Sequence, residues 1–527
     1  MGLLLIAFVL ILALIAIRVS DKLGIPSLLF FLVLGVSFNF AGIEFNDFGI
    51  ADQFASIALL FIIFYGGFGT NWRMAKPVAK EAITLSSLGV VITAILTGLF
   101  AHYFLGFEMI EAMLLGSIVG STDYASVASI LQSRNLNLKY NSASLLELES
   151  GSNDPTAFTM VTVFLAVIMG ESVSIPLLVL TQVGFGIGMG FLIGFILIKL
   201  LELIDFGEGY VTIFILAFTL ITYALTNQIG GNGYLAVYIF GIYIGNNEFV
   251  GKREVVFFND SLTNVLQIGL FFILGLLSNP QSIIQMMPIS IAIMLFMTII
   301  ARPISVYGLM APFKAKNNQM AVISVAGLRG AAAIAFAIVV MNAQPPLAND
   351  LFHIVFDICL LSSLIQGTLL PIASKKFDML DPTDTVLRTF NQYQDKSEIG
   401  FFRTVIQEDS ELAGKLVSDL KLQFDFIVAK IIRNGETIVP RGHVRLEEND
   451  SVILCGEQYF DKKGDDLKEF TIGPFNSWVD KKLNTIDVPE DFLIVVIQRA
   501  DGTIILPQGD TEIKLNDTVV ALEGHLV

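Results

Sequence analysis

The chain has 527 residues, of which 54% are hydrophobic and 15% charged, with a formal net charge of −16 and a mean hydropathy of +0.72. That is too apolar for an ordinary soluble protein, and too acidic for one that binds nucleic acid. Apolar runs dominate up to about Leu370 and strand-like alternation replaces them after Asp378, so a membrane part followed by a soluble tail is expected.

The first run, Gly2–Ile17, has no basic residue before it and no small-x-small cleavage site before Arg18. It reads as a retained span and not a signal peptide. Further runs of bilayer-crossing length cover about 26–42, 53–70, 82–105, 109–132, 143–170, 175–200, 210–228, 232–246, 261–277, 284–310, 319–342 and 350–373, about thirteen spans in all. Basic residues follow the odd-numbered runs: Arg18 and Lys22, Arg73 and Lys76, Arg134 and Lys139, Lys199, Lys252 and Arg253, Lys314 and Lys316, Lys375 and Lys376. Acidic residues such as Asp47, Glu108, Glu171 and Asp350 mark the other side. Retention of positive charge in the cytoplasm puts the N-terminus outside and the tail inside a bacterial cytoplasmic (inner) membrane. Cys359 lies in an apolar run and Cys455 in the tail, so no disulfide is expected.

Two spans are interrupted. The fifth reads LLGSIVGSTDYASVASILQ, broken by Gly116, Gly120, Ser121, Thr122 and Asp123; the twelfth reads AVISVAGLRGAAAIAF, broken around Arg329. They stand seven spans apart and so cross in opposite directions, as the paired broken helices of an inverted repeat do. Asp123 would neutralise exposed helix N-termini at such a crossing, and Arg329 exposed C-termini. Close packing of glycine-rich helices is the alternative.

The sixth span opens on the polar stretch ELESGSNDPTAF, Glu147 to Phe158. A helix starting near Asn141 carries Asp154 about 20 Å into the membrane. Ser150 and Asp154 share one helix face, and Glu149 and Asn153 a neighbouring one. Pro155 can free a backbone carbonyl one turn back, at Gly151. The result is an oxygen-rich site suited to a hard monovalent cation. A lone buried carboxylate also binds a proton, because burial disfavours the charged form. One carboxylate that holds either a cation or a proton is the minimum device for exchange. Glu149 reads instead as the structural ion-pair partner of Arg329 or Arg302, the two basic residues inside spans. The glycine-rich Gly184–Gly194 stretch lies inside an apolar run with no strand before it, and reads as helix packing and not as a nucleotide loop. The four histidines show no metal-ligand spacing and no nucleophile triad is evident, so no enzyme activity is expected.

GSTD in the fifth span, ESGSNDP in the sixth and GLRGA in the twelfth resemble the NhaP-type monovalent cation/proton antiporters across the whole membrane part. The resemblance implies a thirteen-helix antiporter fold with inverted repeats and two crossed broken helices, a homodimer, and alternating access by an elevator-like core. It implies that Asp154 carries the ion or the proton, with Ser150 and Thr122 as further ligands and Asn153 in support, and that exchange is electroneutral. Relatives of this type often carry an acid before the Gly-Gly of the third span, where this chain has Tyr65.

In the tail, Asp425–Leu454 and Phe492–Leu522 repeat one pattern: Gly435 matches Gly502, Pro440 matches Pro507, Gly442 matches Gly509 and Asn449-Asp450 matches Asn516-Asp517, at constant ungapped spacing. Asn434-Gly435 signals a hairpin. A short helix is expected before each copy, at Glu411–Leu420 and Ser477–Ile486. The units resemble the C-terminal subdomain of RCK-type potassium-regulatory proteins, small α+β modules that dimerise and bind small ligands; cyclic di-adenosine monophosphate and adenine nucleotides are the leading candidates.

The expected organisation is a membrane domain at 1–376, a linker at 377–397, and two regulatory units at 398–470 and 471–527. The expected function is exchange of potassium, or sodium, for protons under control of the tail. A sodium/proton antiporter without potassium preference and a gated cation channel are the alternatives; no TVGYG-like filter is present.

Overall fold

The computed structural model describes residues 2–23, 27–40, 45–70, 72–134, 136–171, 174–204, 209–247 and 249–380, and in the tail 399–406, 414–417, 427–433, 436–457, 467–472, 478–486, 492–499, 504–505 and 507–523. Most of the expected linker, the Asn434-Gly435 turn and most of Glu411–Leu420 lie outside them. The chain divides into two compact units, Met1–Lys396 and Ser397–Val527.

The first unit is helical. Its helices are α1 (Gly2–Leu23), α2 (Ser27–Phe40), α3 (Phe48–Gly69), α4 (Lys76–Leu105), α5 (Met109–Ile118), α6 (Tyr124–Ser133), α7 (Ser142–Ile168), α8 (Ile175–Leu203), α9 (Tyr210–Gln228), α10 (Gly233–Gly245), α11 (Lys252–Leu277), α12 (Pro280–Phe313), α13 (Asn317–Val325), α14 (Ala331–Asn342) and α15 (Leu351–Lys376). Among the described residues, seven helices are long and apolar enough to cross a membrane. The 27-residue α7 is not one of them, because its first half is polar. Asp47, Asn232, Asn279 and Asp350 cap α3, α10, α12 and α15, each accepting a hydrogen bond from a backbone N–H of the first turn.

One sequence of elements occurs twice. A long helix containing a five-residue π turn is followed by a broken pair and then a long unbroken helix. The first set is α4, with its π turn at Leu85–Gly89, then α5/α6 and α7. The second is α12, with its π turn at Met297–Ala301, then α13/α14 and α15. Glycines set the closest helix approaches. A Cβ on Gly116 would overlap the carbonyl oxygen of Ala94 on α4, and one on Gly190 that of Ala236 on α10. The Gly184–Gly194 stretch is thus a helix–helix contact surface on α8.

The second unit holds two four-stranded antiparallel sheets of the same topology. The strands are β1 (Ile399–Val405), β2 (Ile427–Arg433), β3 (Glu436–Ile438), β4 (Ser451–Glu457), β5 (Leu467–Thr471), β6 (Lys481–Lys482), β7 (Phe492–Gln498), β8 (Ile504–Ile505), β9 (Glu512–Ile513) and β10 (Thr518–Glu523). The orders are β1-β4-β2-β3 and β5-β10-β7-β8. Two expectations are corrected here. In the expected helix Ser477–Ile486, the described part, 478–486, is not helical: Trp478–Asp480 is a turn, β6 pairs with β9, and Leu483–Thr485 is a single 3₁₀ turn. Asp480 is left-handed (φ +57), as is Gly414 (φ +78) before the bridge from Leu416 to Arg445, and a left-handed residue stops a helix. The repeat is also not ungapped throughout. Ser451 pairs with Ile432 while Thr518 pairs with Gln498, so β2 and β7 correspond at a spacing one residue shorter than the strands after them. In that register Arg433 corresponds to Arg499, and each reaches the buried Asp of its own unit. Arg433 grips Asp450 through two 2.8 Å hydrogen bonds, and Arg499 donates to Asp517 at 2.5 Å.

Candidate functional site

The two broken pairs touch at their breaks. Between α5 and α6 the chain turns at Val119–Gly120 and has no regular structure through Ser121–Asp123. The Asp123 N–H donates to Leu328 O at 2.8 Å across the crossing. Arg329, 3% exposed, sends Nη1 into the carbonyl oxygens of Gly120 (2.7 Å) and Ser121 (2.6 Å). These carbonyls follow the C-terminus of α5, where the helix dipole is negative. The Asp123 carboxylate accepts from Ser126 and lies against Gly330, which precedes α14, so it faces the positive end of that helix. The opposite charges expected at the two breaks therefore each meet the helix end they complement.

α7 runs beside this crossing. Asp154 is buried, and Ser121 Oγ donates to its Oδ1 at 2.5 Å. Ser150 Oγ donates to Thr122 O at 2.7 Å, and Asn153 Nδ2 donates to Thr122 Oγ1 at 2.5 Å. Asp154, Ser150, Asn153, Thr122 and Asp123 are thus gathered on one break. The hydroxyl that meets Asp154 belongs to Ser121, which sequence reasoning noted only as part of the break. A second group missed is Asn232, whose Nδ2 donates to Pro155 O and Thr159 Oγ1, both at 2.9 Å, while its Oδ1 caps α10. It ties the middle of α7 to the start of another helix.

Of the two arginines offered as partners for Glu149, the structure pairs it with Arg302. Nη2 lies 2.6 Å from Oε1, and both side chains are almost wholly buried. Arg329 is not its salt-bridge partner; it is committed to the carbonyls of the first break. Arg302 stands directly after the π turn of α12. A polar line joins that turn to the second break: Arg329 N donates to Ser362 Oγ (3.0 Å), Ser362 to Gln366 Oε1 (2.5 Å), and Gln366 Nε2 to Thr298 Oγ1 (3.0 Å). On α3, the Tyr65 hydroxyl donates to Asp260 Oδ1 of α11 at 2.7 Å, so a carboxylate lies beside the position where the resemblance leads one to expect an acid. Chemically, the crossing offers a buried carboxylate, hydroxyls and carbonyl oxygens, the donor set of a hard cation and equally a place to hold a proton.

Two discontinuous helices crossing at a buried carboxylate define a secondary transporter built on repeats. The chain belongs to the transmembrane sodium/hydrogen exchanger family, which it matches over residues 8–376. Residues 401–458 and 467–522 each match the TrkA-C domain. The chain is 32% identical to the K(+)/H(+) antiporter NhaP2 of Shewanella baltica, over 83% of this chain and 78% of that protein. It is 29% identical to the K(+)/H(+) antiporter NhaP of Alkalimonas amylolytica, over 98% and 91% respectively. In fold it is similar to the sodium proton antiporter MjNhaP1 of Methanocaldococcus jannaschii, with a TM-score of 0.63 and 22% identity, covering 72% of this chain and 99% of that one.

Proposed function

We propose that this protein exchanges potassium for protons across the bacterial cytoplasmic (inner) membrane by alternating access, one cation against one proton, with Asp154 carrying either. The observation that carries the reading is the placement of Asp154: a buried carboxylate hydrogen-bonded to Ser121 at the crossing of two broken helices. Ser150, Thr122 and Asn153 hold the oxygens around it, and Asp123 and Arg329 neutralise the helix ends that the breaks expose. Glu149 and Arg302 are structural. The preference for potassium is supported by the relatives named K(+)/H(+) antiporters; sodium is the second reading, supported by the fold likeness to a sodium proton antiporter. The loop charges support an outside N-terminus and a cytoplasmic tail. The working division is a membrane domain at 1–376, a linker at 377–397 and regulatory units at 398–470 and 471–527, in a homodimer whose tail binds a cytosolic adenine nucleotide or cyclic di-adenosine monophosphate.

Asp154→Asn preserves shape and removes the titratable charge. Exchange in proteoliposomes is expected to disappear while the protein still inserts and purifies as wild type. Near-normal cation-driven proton release by that variant would overturn the assignment. A chain ending at Lys376 is expected to exchange ions but to lose its response to added nucleotide. The same response in both chains would make the tail an assembly module.

A further inference from the structure

Asp357 lies on α15, the helix that follows the second broken pair as α7 follows the first. It is the seventh residue of that helix, about 9 Å from its start. Its side chain is wholly buried and its Oδ1 has no hydrogen-bond partner. Its Oδ2 lies 3.1 Å from Ser290 Oγ on α12, and the same Oγ lies 2.9 Å from the carbonyl oxygen of Met286. A serine hydroxyl has one hydrogen and cannot donate to both acceptors at once. Both contacts are hydrogen bonds if the carboxylic acid donates to Ser290 and Ser290 donates to Met286 O.

Among the described residues, no ion pair reaches Asp357. His353, one turn away, accepts the backbone N–H of Asn279 at Nε2 (2.8 Å), so its single hydrogen is on Nδ1 and points to Asp350 Oδ2 (2.6 Å). It is the neutral tautomer, already used. The other titratable groups on α15 are Cys359, Lys375 and Lys376, the two lysines in its last turn. Among the elements packed on α15, α2, α13 and α14 carry no charged residue, and α3, whose Phe48 meets Phe352 edge-on, carries Asp52, which accepts from Asn342. Glu111 of α5 accepts from Asn349, Arg302 of α12 pairs with Glu149, and Arg329, beside Ser362, holds the carbonyls of the first break.

We propose that Asp357 is a second proton-binding site, distinct from Asp154, which holds a proton in this arrangement and closes the contact between α12 and α15. Loss of that proton leaves a buried carboxylate without a partner, so α12 and α15 must part or admit water before it ionises. Asp357 lies nearer the Asp350 end of α15 than the end that carries Lys375 and Lys376, and in this proposal alkaline solution on the Asp350 side is what discharges it.

Infrared spectroscopy of the purified full-length protein at neutral pH tests the site without requiring transport. In Asp154→Asn, where the other proton-binding carboxylate is absent, a carbonyl band of a protonated carboxylic acid is expected, and it is lost when Asp357→Asn is added. Ser290→Ala should keep the band and shift it, because the acid loses its acceptor. An acid band unchanged by both Asp357→Asn and Ser290→Ala overturns the proposal. In proteoliposomes, Asp357→Asn should continue to exchange at alkaline pH on the Asp350 side where wild type stops; superimposable pH profiles would overturn the proposed discharge. Failure of the exchange reading itself would appear in Asp154→Asn and leave the infrared result standing.

Discussion

The Glu149–Arg302 pair offers the sharpest quantitative test of how the core is held. The two charges lie 2.6 Å apart with side-chain exposures of 1% and 3%. Removing one partner strands the other in a dry environment, and breaking a buried pair in this way costs about 3–5 kcal/mol. At 1.36 kcal/mol per factor of ten, that is roughly two to nearly four powers of ten in the folded-to-unfolded ratio. Glu149→Ala and Arg302→Ala should each melt well below wild type in detergent, followed by the loss of the monodisperse peak on heating. The double variant should melt above either single one, because the second truncation removes the stranded charge left by the first. Arg329→Ala should couple to Glu149→Ala more weakly than Arg302→Ala does, since Arg329 makes its hydrogen bonds to the Gly120 and Ser121 carbonyls. Wild-type melting of both single variants, or strong coupling of Glu149 to Arg329 with none to Arg302, would refute the reasoning.

Ser121→Ala removes the hydroxyl on Asp154; a hydrogen bond to a charged group is worth about 1.5–3 kcal/mol, so apparent cation affinity should fall roughly ten- to hundredfold in vesicle flux, with Ser121→Thr close to wild type. In the tail, the hydrogen bonds from Arg433 hold the Asp450 carboxyl below the usual carboxylate range. A depressed folded value means that this stabilisation is present above the ordinary Asp value and is lost as pH falls through the folded one. Residues 398–527 should therefore unfold more easily at acid pH, and Asp450→Asn should be less stable near neutrality with a flatter pH dependence, measured by urea titration.

The parts legible in the sequence were those in which a polar residue interrupts a long apolar pattern. The two breaks, the polar first half of α7, and the opposite charges of Asp123 and Arg329 all stand out against their surroundings. What could not be read depends on the direction in which a side chain leaves the backbone. Ser121 and Thr122 are adjacent and chemically alike, and only the irregular path of the chain through the break decides that Ser121 meets Asp154 while Thr122 serves Asn153 and Ser150. The choice between Arg302 and Arg329 follows from a π turn that carries no residue signature. In the tail, the pattern WVDKKLNTI has helical spacing, but Asp480 adopts a left-handed conformation that a sequence without glycine there does not announce. The repeat was visible through its glycines and prolines. The one-residue slip before it was not, because an ungapped comparison sets Arg433 opposite Ala500 and hides its counterpart Arg499.

The π turns in α4 and α12 bear on how this chain tolerates changes in length. A π turn accommodates one more residue than the α-helical ladder needs while leaving the helix on either side in line. Elsewhere in a helix, removing one residue rotates everything beyond it by about 100° and shortens it by about 1.5 Å. In α12 such a loss before the π turn would swing Arg302 away from Glu149, or force the whole preceding segment to turn instead. Within Met297–Ala301 the same loss converts the π turn to a regular one and keeps both flanks in register. These two turns are therefore the places where a bilayer-length helix of this protein carries spare chain, and where a single-residue deletion can be absorbed without disturbing what lies on either side.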